Sequence, residues 1–176
     1  MLPVIENERQ QILASLDDGS KALLEALRGV SEVQAVRVPA LDRWSILQCV
    51  EHVTLAERYL FSLIEESSFA EKPLNDEQRE IRIARYGADR SNKRESPAYA
   101  VPKGSYSTLH EALQGFLAGR ERTIRFVNTN KDDLRSRIAV HPILGTTNCF
   151  ELFLLMAVHP ARHAKQVEEI KAAITS

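Results

Sequence analysis

Two histidines four positions apart, His159 and His163 in the run VHPARH, are the residues of this chain best placed to act together. On a helix that spacing stacks two imidazoles on one face about one turn apart, so that two nitrogens can reach one ion. Catalytic zinc sites use three protein ligands and leave a fourth position to water or substrate, which makes a third ligand the next requirement. His52, in CVEHVTLAE, meets it: it shares a helical face with Cys49, Val53 and Ala56, and neighbouring helices of a bundle can carry it opposite the pair. An open three-histidine ion can acidify water for hydrolysis, or hold a thiol as thiolate for transfer. Three imidazoles accept zinc, nickel, cobalt or iron(II), and nickel or zinc is the expected ion. A lone i,i+4 pair is a weak signal, because such histidines also fill core gaps or lie half-exposed on helices.

The elements that must position these residues are helical. Ile12, Leu13, Leu16, Leu23, Leu24 and Leu27 recur at helical spacing and predict a first helix from about Ile5 to Val30. Asp17, Asp18, Gly19 and Ser20 interrupt it, so either one bent helix or two meeting helices would fit. Ser45 is a good N-cap for a second helix, which carries Ile46, Val50, Val53, Leu60 and Leu63 to about Glu66. A third helix is expected to start at Ser107 as cap, to bury Leu109, Leu113, Phe116, Leu117, Ile124 and Val127, and to stop around Asn128 to Lys131. The turn-rich HPILGTTN, residues 141–148, then leads into a long, centrally buried fourth helix bearing both His159 and His163. Residues 67–105, punctuated by Pro73, Gly87, Pro97, Pro102 and Gly104, read as a long irregular insert between the second and third helices. A short helix around Asn75 to Arg85 fits within it. Ala35 to Val38 and Ser136 to Val140 are β-compatible but short, and read as loop. The fold class is therefore all-α, a four-helix bundle forming a single domain over residues 1–176.

Composition narrows the function. The 23 Lys and Arg balance 24 Asp and Glu for a net charge of -1, so no global field favours nucleic acid or an anionic membrane. No stretch approaches the roughly 20 apolar residues of a membrane span, and MLPVIENERQ lacks signal-peptide features, so a cytoplasmic protein is expected. Cys49 and Cys149 sit in apolar helical patterns and read as two reduced, half-buried thiols.

The run RWSILQCVEHVTLAERYL, residues 43–60, resembles the Trp-Ser-x6-His-hydrophobic signature of DinB-like proteins, the group that includes the YfiT-like metalloenzymes. HPILGTTNCFELFLLMAVHPARHAKQVEEI, residues 141–170, resembles the closing signature of the same family: His-Pro-x-x-Gly, a hydrophobic helix, His-x-x-x-His and a Gln three residues later. The two runs cover about a quarter of the chain. The resemblance implies an up-down-down-up four-helix bundle and a three-histidine metal centre on His52, His159 and His163. It also implies a metal-dependent enzyme acting on a small molecule. Transfer to or from a low-molecular-weight thiol leads, ahead of hydrolysis by metal-bound water and of a non-enzymatic, stress-associated metal module. A homodimer is compatible with this reading.

One residue departs from the pattern. Pro160 follows His159 directly, removes the helical hydrogen bond to the Met156 carbonyl and is expected to kink the helix. Other matches weigh less. His141, in the His-Pro-x-x-Gly turn, reads as a loop residue packed near the pocket rather than as a ligand, and His110 as a surface residue. Trp44 and Gln166 are explained by packing and a local hydrogen bond as well as by substrate contact. Glu51 and Glu57 flank His52 with no evident role as a base. The basic stretch Arg79 to Arg94, within an insert carrying eight cations from Lys72 to Lys103, reads first as a solvated loop and second as a lid that attracts an anion.

Overall fold

The computed structural model describes residues 4–91 and 95–175. Six helices account for most of them: α1 (Val4–Leu27), α2 (Glu32–Ala35), α3 (Ile46–Glu65), α4 (Glu77–Ala88), α5 (Leu109–Thr129) and α6 (Cys149–Thr175). The protein is thus mostly helical, with α1 packed along α6, α3 against α5 and α6, and α4 against α6. A small sheet joins them, with β1 (Ser68–Phe69), β2 (Arg137–His141) and β3 (Gly145–Asn148) antiparallel in that order.

The first helix runs unbroken through the Asp-Asp-Gly-Ser stretch. Gly19 is there for proximity: a Cβ on it would lie 2.0 Å from the Ala157 carbonyl oxygen, so only glycine lets α1 lie against the α6 backbone. Ser45 caps α3 as expected, in a reciprocal capping box with Gln48. The cap of α5 is Thr108 rather than Ser107, one residue later than the sequence reading: the Thr108 hydroxyl accepts from the Glu111 amide, while the Ser107 amide donates to the Glu111 carboxylate. The Glu32 carboxylate accepts from the next two amides, Leu109 and His110.

The insert is more ordered than a loop. It holds the 12-residue α4, capped by Asp76, a short 3-10 turn at Ala98–Ala100, and β1. Gly87 brings α4 onto α6, since a Cβ there would meet Val158 Cγ2 at 2.6 Å. The expected loop at Ser136 to Val140 is instead β2, paired with β3 through a hairpin that Gly145 closes at φ 70°. These strands escaped the sequence reading because they are short and alternate weakly. Ala35 ends a four-residue helix, and no strand includes residues 36–38.

Two apolar clusters form the core. One centres on Leu16, Phe61, Leu152, Phe153 and Met156, the other on Leu23, Val50, Phe116 and Val167, and α1, α3, α5 and α6 contribute to both. Cys49 and Cys149 are free and fully buried, not half-buried. Burial pushes the Cys49 thiol up to about 12 and raises that of Cys149, so both stay protonated.

Candidate metal centre

The three predicted histidines come together. His52 on α3 and His159 and His163 on α6 place one ligand atom each within 4.8 Å of one another. His159 Nε2 lies 3.2 Å from His52 Nε2 and 3.0 Å from His163 Nε2. Two nitrogens bound tetrahedrally to zinc at about 2.0–2.1 Å would be roughly 3.3 Å apart, close to this spacing.

The partners of the remaining ring nitrogens fix how the cluster is protonated. His52 Nδ1 lies 2.7 Å from the Ala100 carbonyl oxygen, which only accepts, so Nδ1 carries the proton and Nε2 is bare. His163 Nδ1 donates to Gln166 Oε1 at 2.9 Å, which leaves its Nε2 bare as well. Both bare nitrogens face His159 Nε2. A single proton on that atom can serve one of the two contacts and leaves the other as lone pair against lone pair, whereas a cation serves all three. Protonation of the rings is no remedy, because burial lowers His52 to about 4 and holds His159 and His163 well below the usual histidine value. The Arg162 guanidinium adds to the effect on each. The donor set therefore fits a divalent transition metal.

Pro160 does not leave the Met156 carbonyl stranded. Arg120, from α5, donates to it from Nη2 at 3.0 Å, to the Leu16 carbonyl from Nη1 at 2.8 Å, and to the Glu57 carboxylate from Nε and Nη2. Thr123 donates to the same carboxylate. Arg120 and Glu57 are 3% and 4% exposed and tie α1, α3, α5 and α6 together one turn before His159. Sequence reasoning missed this pair, although Arg120 and Glu57 stand in phase with the apolar stripes of α5 and α3. A charge in phase with a buried stripe was the available signal.

Neither glutamate near His52 is a free base. Glu57 is committed to Arg120, and Glu51, 1% exposed, accepts from the amides of Lys103, Gly104 and Ser105. Burial pushes its carboxyl up, but these amides and the Ser105 side chain together hold it below its usual range. Glu51 thereby clamps the segment whose Ala100 carbonyl orients His52.

The triad opens into a cavity of about 650 Å³, walled by Trp44, Tyr86, Tyr99, His141, Arg90 and Arg162 among others. The Trp44 ring is centred 4.8 Å from that of His52. His141 is buried in the hairpin, lines the cavity and stands apart from the triad; His110 is exposed at the start of α5. Gln166 lines the cavity too and holds His163. Two of the insert's cations are braces: Arg79 binds Glu151 and the Leu144 and Thr146 carbonyls, and Arg90, at the cavity, binds Glu169, whereas Lys72, Arg82, Arg85 and Lys103 are exposed. Lys93 and Arg94 of the basic stretch lie outside the described residues.

The protein is thus a mostly helical one in which three histidines from two helices converge. The sequence matches the DinB superfamily over residues 15–167, and the chain belongs to that family. It is also similar to the uncharacterized protein YuaE of Bacillus subtilis (strain 168), with 22% identity over 149 residues that make up 84% of this chain and 90% of that protein. No helix among the described residues is long and apolar enough to cross a membrane.

Proposed function

We propose that this DinB-superfamily protein binds one divalent transition metal, nickel or zinc, on His52, His159 and His163, and acts on a small molecule in the adjoining cavity. The four long helices α1, α3, α5 and α6 then form the up-down-down-up bundle that the family resemblance implies. The observation that carries the reading is the convergence of three Nε2 atoms, two of them bare, in a buried pocket where the rings stay neutral. When bound, such an ion supplies Lewis acidity that ionises a thiol or water at its open position.

Thiol transfer is favoured over hydrolysis by the state of the carboxylates. Glu51 and Glu57 are both occupied, and the acidic residues that line the cavity, Asp42 and Glu95, are exposed. A water nucleophile would still gain from a positioned base beside the ion, whereas a thiol, much the stronger acid, would reach its nucleophilic form at the ion without one. The Arg162 guanidinium, whose charge reaches all three imidazoles, favours a thiol or electrophile that carries negative charge near the triad. The chain's own residues have defined tasks: Ala100 and Gln166 orient two imidazoles, Trp44 covers His52, and Arg120 steadies α6 below His159.

The test is metal analysis of protein purified without a histidine tag, wild type and His52→Ala side by side, followed by assay of thiol consumption with an electrophile. Stoichiometric metal that disappears in the variant, with metal-dependent loss of thiol, is the expected result. Retained metal in His52→Ala overturns the site. Cleavage of esters or amides without thiol consumption moves the assignment to a hydrolase, and metal without either activity moves it to a non-enzymatic module.

A further inference from the structure

A second device in the cavity wall is independent of the metal ligands. His141 is 2% exposed, and its Nδ1 accepts from two backbone amides of the hairpin turn, Ile143 at 3.2 Å and Leu144 at 3.1 Å. An atom that faces two N–H donors carries no proton, so in the neutral ring the proton is on Nε2. Nε2 lies 3.2 Å from the Tyr99 hydroxyl. His141 therefore donates and Tyr99 accepts, which leaves the tyrosine's own proton to be given elsewhere. The Tyr99 ring is stacked on Tyr59, with centroids 3.8 Å apart and planes 14° from parallel, so the hydroxyl rotor is its remaining freedom. That hydroxyl has no acceptor among the described residues, and Tyr99, His141 and the three clustered histidines line the same cavity. One residue further on, Ala100 holds His52.

The geometry points to Tyr99 as a ligand-binding hydrogen-bond donor, its proton turned into the cavity by His141, for a small molecule that presents a carbonyl or carboxylate oxygen beside the metal. Only the anchoring of that molecule at the metal rests on the proposed function; the donor's polarity is set by the hairpin backbone and serves thiol and hydrolytic chemistry alike. Burial raises the Tyr99 hydroxyl to about 12 and lowers His141, so the arrangement persists at neutral pH. Like an oxyanion-hole donor, it is oriented before the ligand arrives.

The experiment compares zinc-loaded full-length wild type with Tyr99→Phe, which keeps the ring and its stacking. The probes are methyl mercaptoacetate, which has acceptor oxygens, 1-propanethiol, which has none, and acetohydroxamate, which binds zinc through oxygen. Calorimetric titration should show a roughly threefold to tenfold loss of affinity in the variant for methyl mercaptoacetate and acetohydroxamate, the range of one neutral hydrogen bond, and no change for propanethiol. Zinc content should be the same in both proteins. If thiols bind neither protein but acetohydroxamate binds and weakens in the variant, the thiol reading fails and this inference stands. Equal affinities for every probe in the two proteins, or no binding of any probe to wild type, overturn it. Nitrogen-15 chemical shifts of wild-type His141 give a check that needs no variant: a protonated Nε2 is expected, and a protonated Nδ1 removes the basis of the proposal.

Discussion

Two buried polar clusters lie within one turn of each other along α6. At Met156, opposite charges close on themselves: the Arg120 guanidinium meets a carboxylate and two carbonyls, and the Glu57 carboxylate also takes the Thr123 hydroxyl. At His159, neutral rings turn two bare nitrogens toward a third. The first cluster spends its hydrogen-bonding capacity within the protein, and the second keeps lone pairs for something that must arrive. Saturation marks a brace and convergent unsatisfied acceptors mark a site, and that difference separates two groups of residues whose burial alone looks the same.

The largest effect should come from breaking the open cluster. Alanine at His52, His159 or His163 is expected to abolish stoichiometric metal, a greater loss than the roughly 10–100-fold typical of changes to residues that merely orient ligands. Helical circular dichroism should persist, because the two apolar clusters do not depend on the ion. Metal analysis of the three purified variants decides it, and metal retained in all three breaks the contrast between the clusters.

The closed cluster should respond in stability instead. Arg120→Met leaves the Glu57 carboxylate buried without its counter-charge and should cost about 3–5 kcal/mol in urea unfolding, whereas Glu57→Leu with Arg120→Met should recover most of it. A loss under about 1 kcal/mol in the single variant would mean that the brace carries little load.

Acid separates the clusters next. In metal-free protein the His52 folded value of about 4 lies below the unfolded value near 6.5, so between them the unfolded chain binds more protons and stability falls as pH falls. His52 alone contributes a loss of about 3 kcal/mol across that window. His159 and His163 push in the same direction, since both are lowered. Unfolding free energies of metal-free protein from pH 7 to 4 should show this slope, and His52→Ala should flatten it. A slope unchanged by that substitution places the titration elsewhere.

The open cluster was far more legible in the sequence than the closed one. His159 and His163 announce themselves by spacing, and His52 by its place in a recognisable run. Arg120 lies between Gly119 and Glu121 in a charged stretch that reads as a solvated face, and only its phase with Phe116, Thr123 and Val127 marks it as buried. The sequence exposed the need for it, since Pro160 strands the Met156 carbonyl, but the donor comes from a residue 36 positions away that no local pattern pairs with it. The same holds for Tyr99 and His141: Tyr99 lies in the insert, whose path is set by tertiary contacts such as the Glu51 clamp, and it meets His141 of β2 across 42 residues. The long helices were readable because each carries its own period; the short strands carry almost none.

The smallest expected effect tests whether the proline and the arginine answer each other. Pro160→Ala restores an N–H facing the Met156 carbonyl, which has two lone pairs and can accept from both the helix and Arg120. The single substitution should therefore change stability by no more than about 1 kcal/mol, because the carbonyl is already satisfied. What should change is the cost of losing Arg120. In the wild-type background, Arg120→Met exposes both the unpaired Glu57 and the stranded carbonyl; with alanine at position 160 it exposes Glu57 alone. The double-mutant cycle subtracts the shared Glu57 contribution and should leave a coupling of about 1 kcal/mol, with Arg120→Met milder beside Pro160→Ala. Nickel affinity, measured on the same four proteins, sharpens the result: if Arg120 steadies the helix turn beneath His159, Arg120→Met should weaken nickel binding more with proline at 160 than with alanine. A coupling of zero in both measurements would show that Arg120 meets the Met156 carbonyl without compensating for the proline, and that the brace and the metal centre share a helix but not a function.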